Sequence, residues 1–193
     1  MEKTKIGFAM CGSFCTFKSV IPQISILKDF GFDVQPIMSL TAFETDTRFG
    51  ESKYFIDQIE RITGNKIFKT LKEVEPIGPK QLLDLLIIEP ATGNTIAKLA
   101  NGIADTPVTL AAKAHLRNSR PILLGVSSND ALSGNAKNIG SLLNTKNYFF
   151  LPLRQDNCQK KPCSIVSDFS KTLEYAVAAL DGIQLQPILG VSH

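Results

Sequence analysis

Two short apolar runs constrain the fold of this chain more than any other feature of its sequence. Residues 85–89 (LLIIE) and 122–126 (ILLGV) each form a nearly continuous apolar stretch between turn-forming residues. Runs of this length without polar alternation are typical of strands that are buried on both faces, as in a parallel sheet. Segments with helical spacing of apolar residues alternate with these runs, which predicts βαβ units. We therefore predict an α/β fold with a three-layer, doubly wound parallel sheet of the Rossmann or flavodoxin-like type.

The same pattern gives the order of the elements along the chain. Predicted strands cover residues 4–10, 33–38, 85–89, 122–126 and 148–151, and the proline at position 90 is expected to stop the third. Predicted helices cover residues 15–30, 51–63, 96–103, 107–115, 139–143 and 165–181. Ligands of such sheets bind at the carboxyl ends of the strands, so the loops that follow the strands are the candidate site.

Length, charge and residue usage exclude several classes of protein. We expect residues 1–193 to form a single domain, and a net charge of +3 is far below that of a typical nucleic-acid binder. No apolar run approaches the length of a membrane span and no secretory leader is evident, so we expect a cytoplasmic protein without a membrane partner. The only histidines are His115 and His193, and the four cysteines lack the usual zinc spacing, so no metal site is predicted.

The loop after the first strand carries Gly12 and Ser13, followed by Thr16 at the start of a predicted helix. A glycine lets the backbone approach an anion, and helix amides with nearby hydroxyls can bind a phosphate. Capping of the helix by Ser13 or Thr16 explains the same residues without a ligand. Neither a GxGxxG fingerprint nor the lysine of a P-loop is present, which argues against a standard dinucleotide or nucleotide site.

The loops after the second and fourth strands also carry hydroxyl groups. Ser39 and Thr41 follow the second strand and can add phosphate contacts, or they can cap the next helix. Ser128 and Asn129 follow the fourth strand, where they can contact a ligand or cap a helix. For both loops the sequence leaves the two interpretations open.

The segment after the third strand is the most informative part of the sequence. It comprises Pro90, Ala91, Thr92, Asn94 and Thr95. Its small residues would let a flat ring system lie against the backbone, and the Asn94 amide offers a donor and an acceptor to the edge of a heterocycle. The alternative is that Asn94 only caps the helix that follows.

A charged stretch, residues 154–164, follows the fifth strand. It is compatible with a lid over the site, and it supplies Arg154 as a candidate for binding an anionic substrate. A solvated loop without function is the alternative.

These motifs together resemble the flavoprotein family of flavin-dependent cysteine decarboxylases and flavin prenyltransferases. The resemblance is carried by Gly12-Ser13, Ser39, Pro90-x-x-x-Asn94-Thr95, residues 100–105 (ANGIAD), residues 111–118 (AAKAHLRN) and Arg120-Pro121. It implies that FMN is the cofactor. It also implies that Gly12, Ser13 and Ser39 hold the FMN phosphate, while the segment from Pro90 to Asn94 lies along the isoalloxazine ring.

Within the family the chain is most similar to a branch that works beside a second, nicotinamide-binding subunit that uses NADP. That resemblance implies a part in the oxidation of a cyclic imine dicarboxylate, with Arg154 pairing with a substrate carboxylate. It also implies a homo-oligomer, a trimer or higher. No catalytic residue is assigned.

The chain departs from both enzyme groups of the family. Residues 41–50 lack the histidine that decarboxylases carry after the second strand, and residues 125–129 lack their Pro-x-Met-Asn motif. Ser127 and Ser128 stand where prenyltransferases have an arginine and a glutamate. Two alternatives therefore remain: a non-catalytic structural partner of the nicotinamide-binding subunit, and a flavin-dependent decarboxylase.

Overall fold

A seven-stranded sheet forms the middle layer of the molecule in a computed structural model that describes residues 3–190. The strands are β1 (Lys5–Met10), β2 (Asp33–Met38), β3 (Leu85–Ala91), β4 (Ile122–Ser128), β5 (Tyr148–Phe150), β6 (Leu153–Gln155) and β7 (Ile165–Ser167). Their order is β2-β1-β3-β4-β7-β6, and β5 also pairs with β4. Strands β1 to β5 pair in parallel. The predicted α/β class and doubly wound parallel arrangement are confirmed.

Helices cover both faces of this sheet. They are α1 (Phe17–Asp29), α2 (Leu40–Glu44), α3 (Ser52–Thr63), α4 (Leu71–Val74), α5 (Gly93–Ala100), α6 (Pro107–Leu116), α7 (Ala136–Leu143) and α8 (Thr172–Leu180). Side chains of α1, α3 and α8 form one buried cluster, and those of α5, α6 and α7 form the other. Every residue of β3 is buried, as expected for a strand with a helix layer on each side.

Local sequence signals explain where several helices begin and end. Thr106 and Thr109 form a reciprocal capping pair at the start of α6, with Pro107 in the first turn, where its missing N–H costs nothing. Helix α3 is terminated by Gly64, the residue after its last turn, whose φ of 73° is a left-handed conformation that glycine adopts without strain.

The order in which strands are added to the sheet reverses at β1, and this switch point positions the site. From β1 the chain passes to β2 on one side and later to β3 on the other, so the carboxyl ends of β1 and β3 border a crevice. The Cys11 N–H donates to the Pro90 carbonyl across this point, at 3.2 Å. The loops singled out from the sequence therefore meet at one edge of the sheet.

The prediction that Pro90 stops the third strand was wrong. Strand β3 continues to Ala91, which pairs with Val126 after a register shift that begins at Ile88. A proline cannot donate to the ladder, but an irregularity in register accommodates it. Its carbonyl remains available and accepts from Cys11.

The C-terminal part of the prediction also needs correction. Residues 165–167 form β7, which pairs antiparallel with β4 and β6, and the last helix begins only at Thr172. The sheet is thus parallel with an antiparallel hairpin at one edge. Three-residue strands carry too little periodicity to be distinguished from a helix by pattern alone, and tertiary pairing determines their conformation.

Gln184, in the segment that follows α8, covers the edge of β5. The Gln184 side chain accepts from the Phe150 N–H at 2.7 Å and donates to the Phe150 carbonyl at 2.9 Å. It thereby replaces a neighbouring strand along an otherwise open edge. Among residues 3–190 no helix has the length and apolarity needed to cross a membrane.

Candidate functional site

The loops after β1 and β2 lie against each other at the carboxyl edge of the sheet. A Cβ added to Gly12 would be 3.2 Å from the Thr41 methyl carbon, so a larger residue would crowd this approach. The Ser39 N–H donates to the Met10 carbonyl at 3.0 Å, which fixes the second loop to the first. Within residues 3–190 the Gly12 N–H donates to no protein acceptor, and so it is available to an anion.

Ser39 caps α2, as one of the two interpretations of this residue predicted. Its hydroxyl accepts from the Ala42 N–H at 3.2 Å. The cap places the first-turn amides of α2, including that of the exposed Thr41, at the same edge as Gly12. Because helix N-terminal amides favour negative charge, the cap and a phosphate contact are compatible uses of this loop.

Ser13 connects the β1 loop to the end of β4. Its hydroxyl lies 2.7 Å from that of Ser127, which is buried. Neither Ser13 nor Thr16 makes a side-chain cap at the helix start, so the capping interpretation of this loop was wrong. The Thr16 hydroxyl instead donates to the Ser13 carbonyl at 2.8 Å. The Ser13 hydroxyl is therefore held at the crevice rather than used by the helix.

The segment after β3 enters α5 through Thr92. The Thr92 hydroxyl accepts from the Thr95 N–H at 3.4 Å, so Thr92, and not Asn94, is the helix cap. Asn94 is exposed in the first turn of α5, and its side chain bonds to no group in the described part of the chain. Ala91 is buried. The Asn94 amide is thus free to meet a ligand.

Cys11 lies beneath this segment and holds it to β1. The Thr95 hydroxyl donates to the Cys11 sulfur at 3.2 Å. Burial raises the pKa of the Cys11 thiol to about 11, and the hydrogen bond from Thr95 opposes that rise only in part. The thiol is therefore neutral at physiological pH and serves as a packing group rather than a nucleophile.

A polar cluster that the sequence analysis did not recognise supports the same segment. A Cβ on Gly93 would lie 2.5 Å from the Ser128 hydroxyl and from Asp130 Oδ1, and 2.7 Å from Asn135 Nδ2. Asp130 bonds to Ser128 and accepts from Asn135, and the Ser128 bond is the main cause that lowers the pKa of its carboxyl. Ser128, a predicted site residue, thus contacts the segment through Gly93. Only glycine fits there.

Arg154 lines a cleft that also includes Cys15 and Thr16, which follow β1. It is in β6, and its Nη2 pairs with Asp168 Oδ2 at 2.7 Å while its side chain is 56% exposed. Its stem would contact a Cβ placed on Gly190, at 2.6 Å, so the C-terminal segment packs against it. The segment interpreted as a lid or as a solvated loop begins in β6 and ends before β7, two strands that neither interpretation predicted, and its residues 154–162 are exposed.

Glu89 is a further residue that the sequence analysis passed over. It is fully buried, and the Thr172 hydroxyl lies 2.8 Å and 3.0 Å from its two carboxyl oxygens. Burial raises the pKa of this carboxyl to about 8, and the Thr172 hydroxyl only partly opposes the rise. An acidic residue within an apolar run, directly before a proline, was the available signal.

His115 does not contribute to the site. It is buried in α6, with Nε2 2.9 Å from the Pro121 carbonyl, and burial lowers its pKa to about 4. A neutral ring that donates to this carbonyl is a structural element of the core. His193 is outside the described residues. Residues 3–190 contain no group of three or more histidine, cysteine, aspartate or glutamate side chains that could hold a metal ion.

Comparison with known proteins identifies clear relatives. A family model described as Flavoprotein matches residues 1–173. The chain is 45% identical over 189 residues to the B subunit of dipicolinate synthase from Bacillus subtilis (strain 168), covering 98% of this chain and 94% of that protein. The crystal structure of the same B subunit from Bacillus halodurans has a TM-score of 0.90 and 44% identity, covering 98% of this chain and 97% of that one.

A more distant structure shares the fold. The crystal structure of the FMN-dependent cysteine decarboxylase SpaF has a TM-score of 0.69 at 21% identity and covers 92% of this chain and 97% of its own. At that identity the likeness concerns the architecture alone.

Proposed function

Because this chain belongs to the flavoprotein family, as its strand-end motifs predicted, we propose that it is the FMN-binding B subunit of a dipicolinate synthase. In this role it takes part in the oxidation of dihydrodipicolinate to dipicolinate during sporulation. Its partner is the A subunit of the same enzyme, which binds NADP. The identity of 45% across 98% of the chain supports this assignment over the other activities of the family.

The observation that carries the flavin proposal is the convergence of four strand-end loops at one edge. The unpaired Gly12 N–H, the Ser13 hydroxyl and the first turn of α2, capped by Ser39, place donors at this edge without a basic side chain. Thr41 closes this group of donors beside Gly12. These residues fit a phosphate that is held by amides and hydroxyls.

The neighbouring segment fits the ring of a flavin. Pro90, Ala91 and Thr92 present little side-chain bulk beside the crevice, and the exposed Asn94 amide can bond to a heterocycle edge. Thr95 and Ser128 fix this segment from below and from the side, through Cys11 and Gly93. The chain therefore contributes binding, orientation and shape, which are the parts that a protein supplies to cofactor chemistry.

A bound flavin would supply an acceptor for the hydride that leaves the dihydropyridine ring, while a proton is lost and the ring becomes aromatic. The residues of the chain would exclude water and orient the two rings. Arg154 is our candidate for binding a substrate carboxylate. Its outer guanidinium edge is exposed, and Asp168 already holds the other side in place. We further propose a homo-oligomer, a trimer or higher.

Flavin uptake tests this proposal directly. The purified chain is mixed with FMN, and binding is followed by the change in the flavin absorption and fluorescence spectra. We expect saturable binding at micromolar concentration, weakened at least about tenfold by S13A and by N94A, since each removes a hydrogen bond to the ligand worth about 1.5 kcal/mol. The control is S141A, which alters an exposed serine on α7 whose hydroxyl has no bonding partner within residues 3–190. Absence of flavin binding by the wild-type chain would refute the proposal.

The activity of the two-subunit complex decides between a catalytic and a purely structural role. Dipicolinate formation is measured first with only the nicotinamide-binding partner present, then with the wild-type chain added, and then with S13A or N94A added. We expect the variants to restore less activity than the wild type. If both variants restore full activity while they remain folded, the non-catalytic alternative is the correct one.

A further inference from the structure

The carboxyl group of Glu89 lies in the core beside the proposed flavin segment, and the mechanism above makes no use of it. Glu89 is at the end of β3, directly before Pro90, and it is completely buried. Its Cγ lies so close to Gly125 in β4 that a Cβ there would approach within 2.9 Å. The same missing Cβ would be 3.2 Å from Leu151 and from Phe169, which close the space around the carboxyl group.

Burial and the Thr172 hydroxyl act on the Glu89 carboxyl, and no charged side chain of residues 3–190 does. The groups around this carboxyl are uncharged: Gly125 on β4, Leu151 after β5, Phe169 before α8, and Thr172 on α8. The charged residues nearest to them along the chain pair with one another at the surface. They are Asp168 with Arg154, and Lys171 with Glu174. Helix α1 also packs against β3, and of its charged residues Lys18 and Asp29 are exposed while Lys28 donates to the Thr63 carbonyl.

Burial and the lack of a facing cation decide the form in which Glu89 is held. The Thr172 hydroxyl is within 3.0 Å of both carboxyl oxygens and 2.7 Å from the Phe169 carbonyl, which also accepts from the Thr172 N–H. The hydroxyl can therefore accept the proton of a neutral Glu89 while it donates to Phe169, or it can donate to an ionised carboxylate. Among residues 3–190 this one hydroxyl would be the single donor to a fully buried charge, so the neutral form is favoured.

This short hydrogen-bond chain leads toward Arg154. Phe169 follows Asp168, whose N–H donates to the Pro152 carbonyl at 2.9 Å and whose carboxylate pairs with Arg154 at 2.7 Å. The other end of this hydrogen-bond chain is Glu89, which is joined to Pro90 by one peptide bond. Glu89 thus connects the segment proposed to line the flavin with the turn that orients the proposed substrate-binding arginine.

We propose that Glu89 is a positioning residue that is carried in its protonated form and that holds these two parts of the site in register. Ionisation would leave a fully buried carboxylate with one hydroxyl donor and no cation, and such a charge is stable only if water reaches it. Opening to admit water would loosen the packing of β3 against α8, and with it the placement of Pro90 and of Asp168. The roles of these neighbours rest on the proposed function, whereas the protonation of Glu89 does not.

The protonation state is tested on the full-length chain by NMR titration of carbon-13 in the glutamate carboxyl groups, with E89Q used to assign the signal of Glu89. We expect a titration midpoint near 8, compared with an ordinary value near 4.5. In T172V the midpoint should move higher still, because the Thr172 hydroxyl can bond to either form of the carboxyl but bonds more strongly to the charged one. A wild-type midpoint below about 5, or no change in T172V, would overturn the proposal. T172V also keeps the test possible if E89Q does not fold.

The positioning role is tested with a readout that requires no flavin. Backbone amide signals of Thr92 and Asn94, and the side-chain signal of Arg154, are followed through the same pH range. We expect them to shift with the midpoint of Glu89 in the wild type and to remain constant in E89Q, while E174Q, which alters an exposed glutamate on α8, behaves as the wild type. If Glu89 titrates and these signals do not move, the carboxyl group is buried without a positioning role.

The affinity for FMN, measured across the same pH range, separates this proposal from the proposed function. A loss of affinity above the midpoint that E89Q abolishes supports both. Failure to bind FMN at any pH refutes the proposed function only, because the titration and the amide shifts still decide the role of Glu89.

Discussion

Replacing Glu89 by glutamine should change how the stability of this protein depends on pH. The carboxyl group has a pKa of about 8 in the folded chain and an ordinary value near 4.5 when the chain is unfolded. Between these two values the folded state holds a proton that the unfolded state has released. The contribution of Glu89 to the free energy of unfolding must therefore fall as the pH rises through this interval, and this contribution is largest below about 4.5.

The size of the effect follows from the same two values. The difference of about 3.5 pKa units corresponds to about 5 kcal/mol in total at about 1.4 kcal/mol per unit. Between pH 5 and pH 8.5 about 4 kcal/mol of this is lost. Glutamine has nearly the same shape and stays neutral at every pH, so E89Q should lose none of it. Any constant cost of an imperfectly bonded amide cancels when only the dependence on pH is compared.

The assay is urea unfolding at a series of pH values, with wild type, E89Q and the surface variant E174Q measured in parallel. The wild type and E174Q should become less stable relative to E89Q by about 4 kcal/mol over the interval. The other titrating groups are the same in wild type and E89Q, so their contributions cancel. Parallel stability curves for these two proteins would refute the reasoning, because they would mean that Glu89 is ionised in the native state at neutral pH.

Three further predictions concern other parts of the fold. Because the pKa of His115 is lowered to about 4, the contribution of this residue to stability should fall by about 3 kcal/mol as the pH drops from about 6.5 to 4, so the wild type should lose that much relative to H115Q in urea unfolding. G93A should cost about 1–3 kcal/mol and weaken FMN binding, because its methyl group would meet Ser128, Asp130 and Asn135. G140A, at an exposed helical position with open space around it, should leave binding unchanged and stabilise slightly, and equal effects of the two changes would mean that Gly93 is not crowded. Q184A removes both bonds to the Phe150 backbone and should cost about 1–3 kcal/mol in thermal unfolding, and an unchanged midpoint would show that solvent replaces those bonds fully.

Strand-end chemistry was the part of the site that the sequence could predict. Gly12, Ser13 and Ser39 follow strands of a parallel sheet, and the carboxyl ends of such strands meet at one edge whatever the details of packing. Their place in the site therefore depended only on recognising the strands.

Other residues of the site could not be predicted because their partners are distant in sequence. Ser127 contacts Ser13 across 114 positions, and Glu89 contacts Thr172 across 83. Gly93 gives no local sign that three polar groups, from the last residue of β4 and from the loop after it, occupy the space of its missing side chain. Pattern arguments describe the neighbours of a residue along one element, and these contacts join different elements.

The sequence by itself determined the sheet, its direction and the edge at which a ligand would bind, because hydrophobic periodicity and turn residues act locally. Only the tertiary structure decided that Pro90 continues a strand, that residues 165–167 pair with β4, and that Arg154 is held by Asp168. It also decided the protonation of Glu89. A carboxyl group in water is ionised at neutral pH, and only the burial produced by the whole fold makes the neutral form the more stable one.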